Sequence, residues 1–167
     1  MAIIDVLLPE FDKEMASTRT TLERIPDDKF DYKPHPKSGS MGWIVTHLAN
    51  IPVWTVRALN QDDFDLSPAG SPPQRTVPSN STAEVLARFD KNVSDARAAL
   101  ARATDGALAE PWSLLSSGRK MFTLTRAEVI RNMVMNHSIH HRGQLTMYMR
   151  LNDIPVPGLY GPSADEK

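Results

Sequence analysis

Of the five histidines in this chain, three stand together near the C-terminus, in the run His137-Ser138-Ile139-His140-His141-Arg142-Gly143. On an α-helix, residues 137 and 141 lie one turn apart with both imidazoles on the same face, the spacing at which two ring nitrogens can bind one transition-metal ion. His140 competes for the second place. It lies about 60° around the helix from His137 and His141 about 40°, so helix geometry favours His141 modestly and leaves His140 at the rim. A third inward imidazole completes a site, and His47, set among bulky apolar residues on another helical segment, is the candidate. Taken singly, an imidazole on an apolar stripe more often hydrogen-bonds a neighbouring carbonyl than binds a metal. A pair at ligand spacing plus a third inward ring changes that balance. Three neutral imidazoles leave further coordination positions to water or substrate, which marks a reactive rather than a sealed structural site. An ion so held creates a nucleophile from water or thiol at neutral pH and polarises a substrate oxygen, so thiol transfer and hydrolysis are both accessible.

Positioning such rings requires long helices, and four helical segments are legible between breakers. The first runs from Ile3 to about Ile25, with Leu7, Leu8, Phe11, Met15, Thr18 and Leu22 recurring at three and four despite Pro9, and Pro26 closes it. Residues 27–40 read as a connecting loop. The second helix spans Met41 to Asn60 with a kink at Pro52, and its inward stripe takes Ile44, His47 or Leu48, Ile51, Trp54 or Thr55, and Ala58. Residues 61–79, with Pro68, Pro72, Pro73 and Pro78, read as a long crossover without regular structure. The third helix opens on the capping box Ser81-Thr82-Ala83-Glu84 and runs to near Gly106. Between Pro111 and Thr123, two short apolar runs flank Ser116-Ser117-Gly118-Arg119, a small β-hairpin or irregular excursion. The fourth helix opens on a second capping box, Thr125-Arg126-Ala127-Glu128, and continues to about Asn152. Its most apolar stripe is Ile130, Val134, His137, His141, Leu145 and Tyr148; a competing stripe takes Met133, His137, His140, Gln144, Met147 and Leu151. The fold class expected is all-α, a four-helix bundle formed by residues 1–167 as one domain.

Composition narrows the function. With 41% apolar residues in 167, the chain can bury one core, and 19 basic against 20 acidic residues leave no electrostatic footprint for nucleic acid or an anionic membrane. Small molecules or protein partners are expected instead. The absence of cysteine removes disulfides, thiolate ligands and a cysteine nucleophile, so any metal relies on N and O ligands and any thiol arrives as a cosubstrate. Neither a secretory leader nor an apolar run long enough for a membrane span is visible, and the expected location is the cytoplasm. Rival metal architectures fail on their motifs: there is no paired Glu-x-x-His, no His-Glu-x-x-His and no Cys-x-x-Cys-His. A non-covalent haem bundle using His47 and His137 survives this test and would give a Soret band.

Other residues carry plainer readings. Glu14, Glu23 and Glu128 are general bases by type, but each sits in a pattern that a solvated face or a helix cap explains. Arg142 and Gln144 either contact substrate or orient a histidine, or are bundle-edge residues. Gly143 is read as permitting close packing. Trp43 and Trp54 are read as core rather than pocket wall, His35 as loop-borne, and Met133, Met135, Met147 and Met149 as bundle or dimer packing.

Asn136-His137-Ser138-Ile139-His140-His141-Arg142-Gly143-Gln144-Leu145, with Tyr148, Arg150, the tail Val156-Pro157-Gly158-Leu159-Tyr160-Gly161-Pro162-Ser163, and His47 after Gly42-Trp43, resembles the DinB/YfiT-like family over nearly the whole chain. The resemblance implies a four-helix bundle of up-down-down-up topology. It also implies a divalent metal, often zinc or nickel, held by three histidines of helices two and four, here His47, His137 and His141. Homodimers and metal-dependent transfer of a low-molecular-weight thiol are further implications. The function expected is therefore a divalent-metal-dependent thiol S-transferase or hydrolase acting on a small molecule. The alternative is a non-catalytic metal-binding or stress-associated helical dimer.

Overall fold

Apolar residues recurring at three and four bury one face of the N-terminal segment, and in the computed structural model, which describes residues 2–70 and 76–166, that segment is helix α1, Ile3–Leu22. Leu7, Phe11, Met15 and Leu22 enter the core, while Pro9 sits on the exposed face where the missing N–H is least costly. The helix stops one turn short of expectation: Arg24 and Ile25 donate to the carbonyls of Thr21 and Leu22, a tightened turn before Pro26. A single turn of 3₁₀-helix follows at Asp27–Lys29.

The expected second helix is present but broken into α2, Met41–Asn50, and α3, Val53–Asn60. Pro52 supplies no N–H to the Leu48 carbonyl, and at the same break the Ala49 carbonyl accepts from the Asn92 side chain at 2.8 Å. Both Ile51 and Pro52 keep right-handed helical dihedrals, so the two pieces follow one another as an interrupted rod. The third rod is α4, Thr82–Leu100, which ends earlier than Gly106; Thr104 then caps a separate short helix α5, Asp105–Ala109. The Asp105 carboxylate accepts from the Ile3 amide at 2.8 Å and so closes the N-terminus of α1. The box at Ser81 is half of what its sequence suggests. Ser81 Oγ accepts from the Glu84 amide, whereas the Glu84 carboxylate turns to the Asn80 amide.

The hairpin is real and belongs to a small sheet, so the chain is mostly helical rather than all-α. Strands β2, Pro111–Ser116, and β3, Arg119–Thr125, pair antiparallel around Ser117 and Gly118, both at positive φ, as a two-residue hairpin turn demands. The third strand was hidden in the Pro-rich crossover: β1, Asp63–Asp65, pairs parallel with β2. The Asp65 carboxylate accepts from the amides of Ser67, Ser117 and Gly118, which ties the crossover to the hairpin tip and depresses its pKa. Pro72 and Pro73 lie outside the described residues.

The last rod begins at the Thr125–Glu128 capping box, fully formed as expected, and runs through α6, Arg126–Val129, a π-helical segment Ile130–Asn136, and α7, His137–Arg150. α4 packs against α1, α2 and α3, and α7 packs against α1 and α2. The π segment resets the helical phase, because its wider turn advances each side chain by less than an α turn does. The buried face beyond it is Ser138, Arg142, Leu145 and Met149, so Ile130, Val134 and Leu145 of the first expected stripe are core while the rest of that stripe is not, and the second stripe is not the core face. His137 and His141 lie at its half-buried edge, and Met147 and Leu151 are exposed. Among the described residues no helix is long and apolar enough to cross a membrane.

Candidate metal centre

The N-terminus of α2 is built to hold His47. Ser40 Oγ accepts from the Trp43 amide, and the amides of Met41 and Gly42 donate to the carbonyls of Tyr32 and Phe30. Gly42 lets Phe30 pack close: a Cβ there would lie 3.1 Å from the Phe30 side chain and carbonyl. Two turns on, Ile44 and Leu48 are buried and His47 stands half-exposed between them and the last helix.

All three expected residues converge. One ring nitrogen from each of His47, His137 and His141 lies within 4.8 Å of the others. His47 Nε2 is 3.2 Å from His137 Nε2, and His141 Nε2 is 2.9 Å from His137 Nε2. His140 stays exposed, its ring edge-on to His141 at 5.0 Å, and takes no part in the convergence. His35 is remote in role: its Nδ1 accepts from the Lys37 amide in an exposed loop.

The outer nitrogens explain why the inner ones face each other. His141 Nδ1 lies 2.8 Å from Gln144 Oε1, and an amide oxygen only accepts, so this nitrogen carries the ring proton. His137 is hydrogen-bonded to the Met133 backbone in the sense that favours its protonated form, so the ring donates to that carbonyl. Its Nε2 being turned toward two other rings, the donor is Nδ1. The backbone permits this because the His137 amide turns to the Val134 carbonyl at the end of the π segment, and its α-helical partner, the Met133 carbonyl, meets the ring. Neutral His137 and His141 therefore confront each other with bare Nε2 lone pairs at 2.9 Å. A cation between them turns that repulsion into coordination, and separations of this size suit nitrogens sharing an ion at about 2.1 Å. The donor set thus fits a divalent ion, and all three rings favour the neutral form a metal needs. Burial pushes His47 down to about 4, helped by repulsion from His141 and His137, and burial also lowers His137 and His141.

Around the triad, several residues differ from their expected roles. Trp43 is 46% exposed, not core; its indole stacks on the His47 ring at 4.9 Å and meets His141 edge-on at 5.8 Å, walling the site. Trp54 is partly buried and packs edge-on to Trp112 and Phe64. Gly143 does not serve close packing, since a Cβ there would meet nothing within 4 Å. Met135 and Met149 are core, as expected of bundle packing, but Met147 is 61% exposed.

Glu14 and Arg142 are the larger correction. Neither is a surface residue: Arg142 is 1% exposed and Glu14 4%, and Arg142 Nη2 donates to Glu14 Oε2 at 2.6 Å. Arg142 Nη1 adds the Glu14 carbonyl and Thr18 Oγ1, and Tyr160 of the C-terminal tail donates to Glu14 Oε2 while accepting from Arg142. A buried guanidinium persists only with such satisfaction. The network fixes the rotation of α7 against α1, and so aims His141, the residue before it. Glu23 pairs with Arg19 and Glu128 closes the capping box, as their patterns suggest.

Comparison with known proteins places these features. The profile of the DinB superfamily matches residues 10–145. An uncharacterised protein of Bacillus subtilis strain 168, YrdA, is 24% identical over 165 residues, covering 98% of this chain and 91% of that one. The crystal structure of a DinB-like protein from Bacillus cereus ATCC 10987 superposes with a TM-score of 0.71 at 21% identity, covering 92% of this chain and 95% of its own. A second DinB-like protein, YjoA of Bacillus subtilis, gives a TM-score of 0.67 at 18% identity, covering 96% and 99%.

Proposed function

This chain belongs to the DinB superfamily, and from that premise we propose that it is a divalent-metal-dependent enzyme with His47, His137 and His141 as ligands, acting on a small molecule as a thiol-dependent S-transferase or a hydrolase. The observation that carries the reading is the convergence of one ring nitrogen from each of His47, His137 and His141 within 4.8 Å of the others, with His141 Nδ1 already committed to Gln144. Zinc or nickel is the expected ion, held between α2 and α7 of an up-down-down-up four-helix bundle, and a cytoplasmic homodimer is the expected assembly. When bound, such an ion supplies Lewis acidity and lowers the pKa of a thiol or water.

The chain's own groups do the rest. Gln144 and the Met133 carbonyl hold the tautomers that point lone pairs inward, and both bonds make the rings better donors. Trp43 shields one face of His47 from water. No general base comes from Glu14, Glu23 or Glu128, which are committed to Arg142, Arg19 and a helix cap.

Elemental analysis of untagged protein prepared without chelators, followed by a screen of biological thiols against electrophiles, tests this reading. About one equivalent of a divalent metal is expected, together with turnover that His141→Ala abolishes while the variant stays folded. Metal-free protein that does not take up zinc or nickel would overturn it. A His141→Ala variant that loses metal and also melts far lower would instead mark the ion as structural.

A further inference from the structure

His47 closes one end of a second feature, a cleft of about 570 Å³ whose walls come from α3, the segment after β1, and α4. Its floor is aromatic: Trp54 and Phe64 meet edge to face at 5.4 Å. Over that floor lies the Arg57 guanidinium, 4.0 Å from the Phe64 centroid and 4.9 Å from that of Trp54. Arg88 reaches in from α4, anchored through one Nη1 bond to the Val77 carbonyl at 2.9 Å, which leaves most of its five N–H groups for other acceptors.

The lining of this cleft has a charge bias that the chain as a whole lacks. The chain carries a net charge of −1, yet the described residues lining the cleft include two arginines and no carboxylate. Asp63 and Asp65 flank Phe64 but neither lines the cleft; Asp63 is exposed, and Asp65 spends its carboxylate on three backbone amides of the crossover and hairpin. A low-dielectric wall lined by one sign of charge concentrates ions of the other sign, and guanidinium forks match carboxylate geometry.

We propose that this cleft is the substrate-binding site and selects an organic anion, a small molecule with a carboxylate held by Arg88 and an apolar or planar body packed against the stack that Arg57 makes with Trp54 and Phe64. Its reacting end is directed past His47 toward the triad. The consequence for reaction at the ion rests on the metal-enzyme reading above; the seat for the anion does not, since none of its polar groups other than His47 belongs to the triad.

Titration of 3-phenylpropionate and its neutral amide into the full-length protein, metal-loaded and metal-free, followed by NMR of the arginine Nε–H and tryptophan indole signals, tests the proposal. The carboxylate is expected to bind at least about tenfold more tightly than the amide in both forms and to weaken as salt is raised. Arg88→Gln is expected to reduce carboxylate affinity roughly tenfold and leave the amide unaffected. Equal binding of acid and amide overturns the proposal. So does carboxylate binding that needs the metal, disappears in His141→Ala and ignores Arg88→Gln, because the anion is then an exchangeable metal ligand; the metal reading survives that outcome. Arginine-dependent binding in protein that never takes up metal supports the cleft and removes the metal reading.

Discussion

Replacing Glu14 by Gln should destabilise the fold by about 3–5 kcal/mol, because it leaves the Arg142 cation buried without its counter-charge. The magnitude follows from burial. Arg142 and Glu14 have side-chain exposures of 1% and 6%, so neither solvent nor salt can compensate, whereas an exposed pair such as Arg19–Glu23, at 44% and 43%, is expected to contribute below about 1 kcal/mol. A domain of this size holds about 5–15 kcal/mol in total, so the variant loses a large fraction of its stability. With about 2–4 °C lost per kcal/mol, the melting temperature should fall by roughly 6–20 °C. Urea unfolding of Glu14→Gln, Glu23→Gln and the double variant Glu14→Met/Arg142→Met measures it. The double variant, which removes both charges, should recover stability relative to Glu14→Gln. A Glu14→Gln cost no larger than that of Glu23→Gln would refute the reasoning, showing that water reaches the pair.

Gln144 is exposed, so Gln144→Leu should leave the unfolding free energy within about 0.5 kcal/mol while weakening zinc affinity about 10–100-fold, measured by competition with a chromogenic chelator. In metal-free protein, the depressed His47 contributes stability that is present above the unfolded value of about 6.5 and is lost as pH falls toward about 4, since the unfolded chain takes up the proton first. Urea midpoints at pH 7 and pH 5 should therefore differ, and His47→Gln should shrink the difference. Gly143→Ala should raise stability by up to about 1 kcal/mol, seen as a higher melting temperature, because the site is helical and its Cβ position is open.

Spacing made the site legible; phase did not. His137 and His141 at i and i+4 need only one turn of helix to face the same way, so their pairing survived everything the rest of the rod does. The stripe they sit on was misjudged because extrapolating at 100° per residue from Ile130 assumes an α-helix, and residues 130–136 are π-helical. No local signal in Ile130-Arg131-Asn132-Met133 announces that wider turn; it is settled by packing against neighbours. Capping chemistry marked helix starts well at Ser81 and Thr125, since a hydroxyl and its target amide are three residues apart. The burial and mutual pairing of Glu14 and Arg142, both of which the sequence puts among candidate residues, were hidden for the opposite reason. Their bond spans 128 residues, and charge in an amphipathic pattern reads as surface unless its partner is known. Strand β1 was concealed likewise, being three residues whose pairing exists only once β2 is in place.

The interruption at Pro52 divides responsibilities between two half-rods. Before it, α2 holds His47 by contacts with the loop at Phe30 and Tyr32; after it, α3 presents Trp54 and Arg57 to the cleft, and Asn92 rivets the joint to α4. Substitutions in the cleft-facing half of this rod can therefore accumulate without disturbing the contacts that seat His47 beside His137 and His141. On the proposed reading, a lineage built on this scaffold diversifies its menu while keeping the histidine triad, by rewriting α3 together with the cleft's other walls.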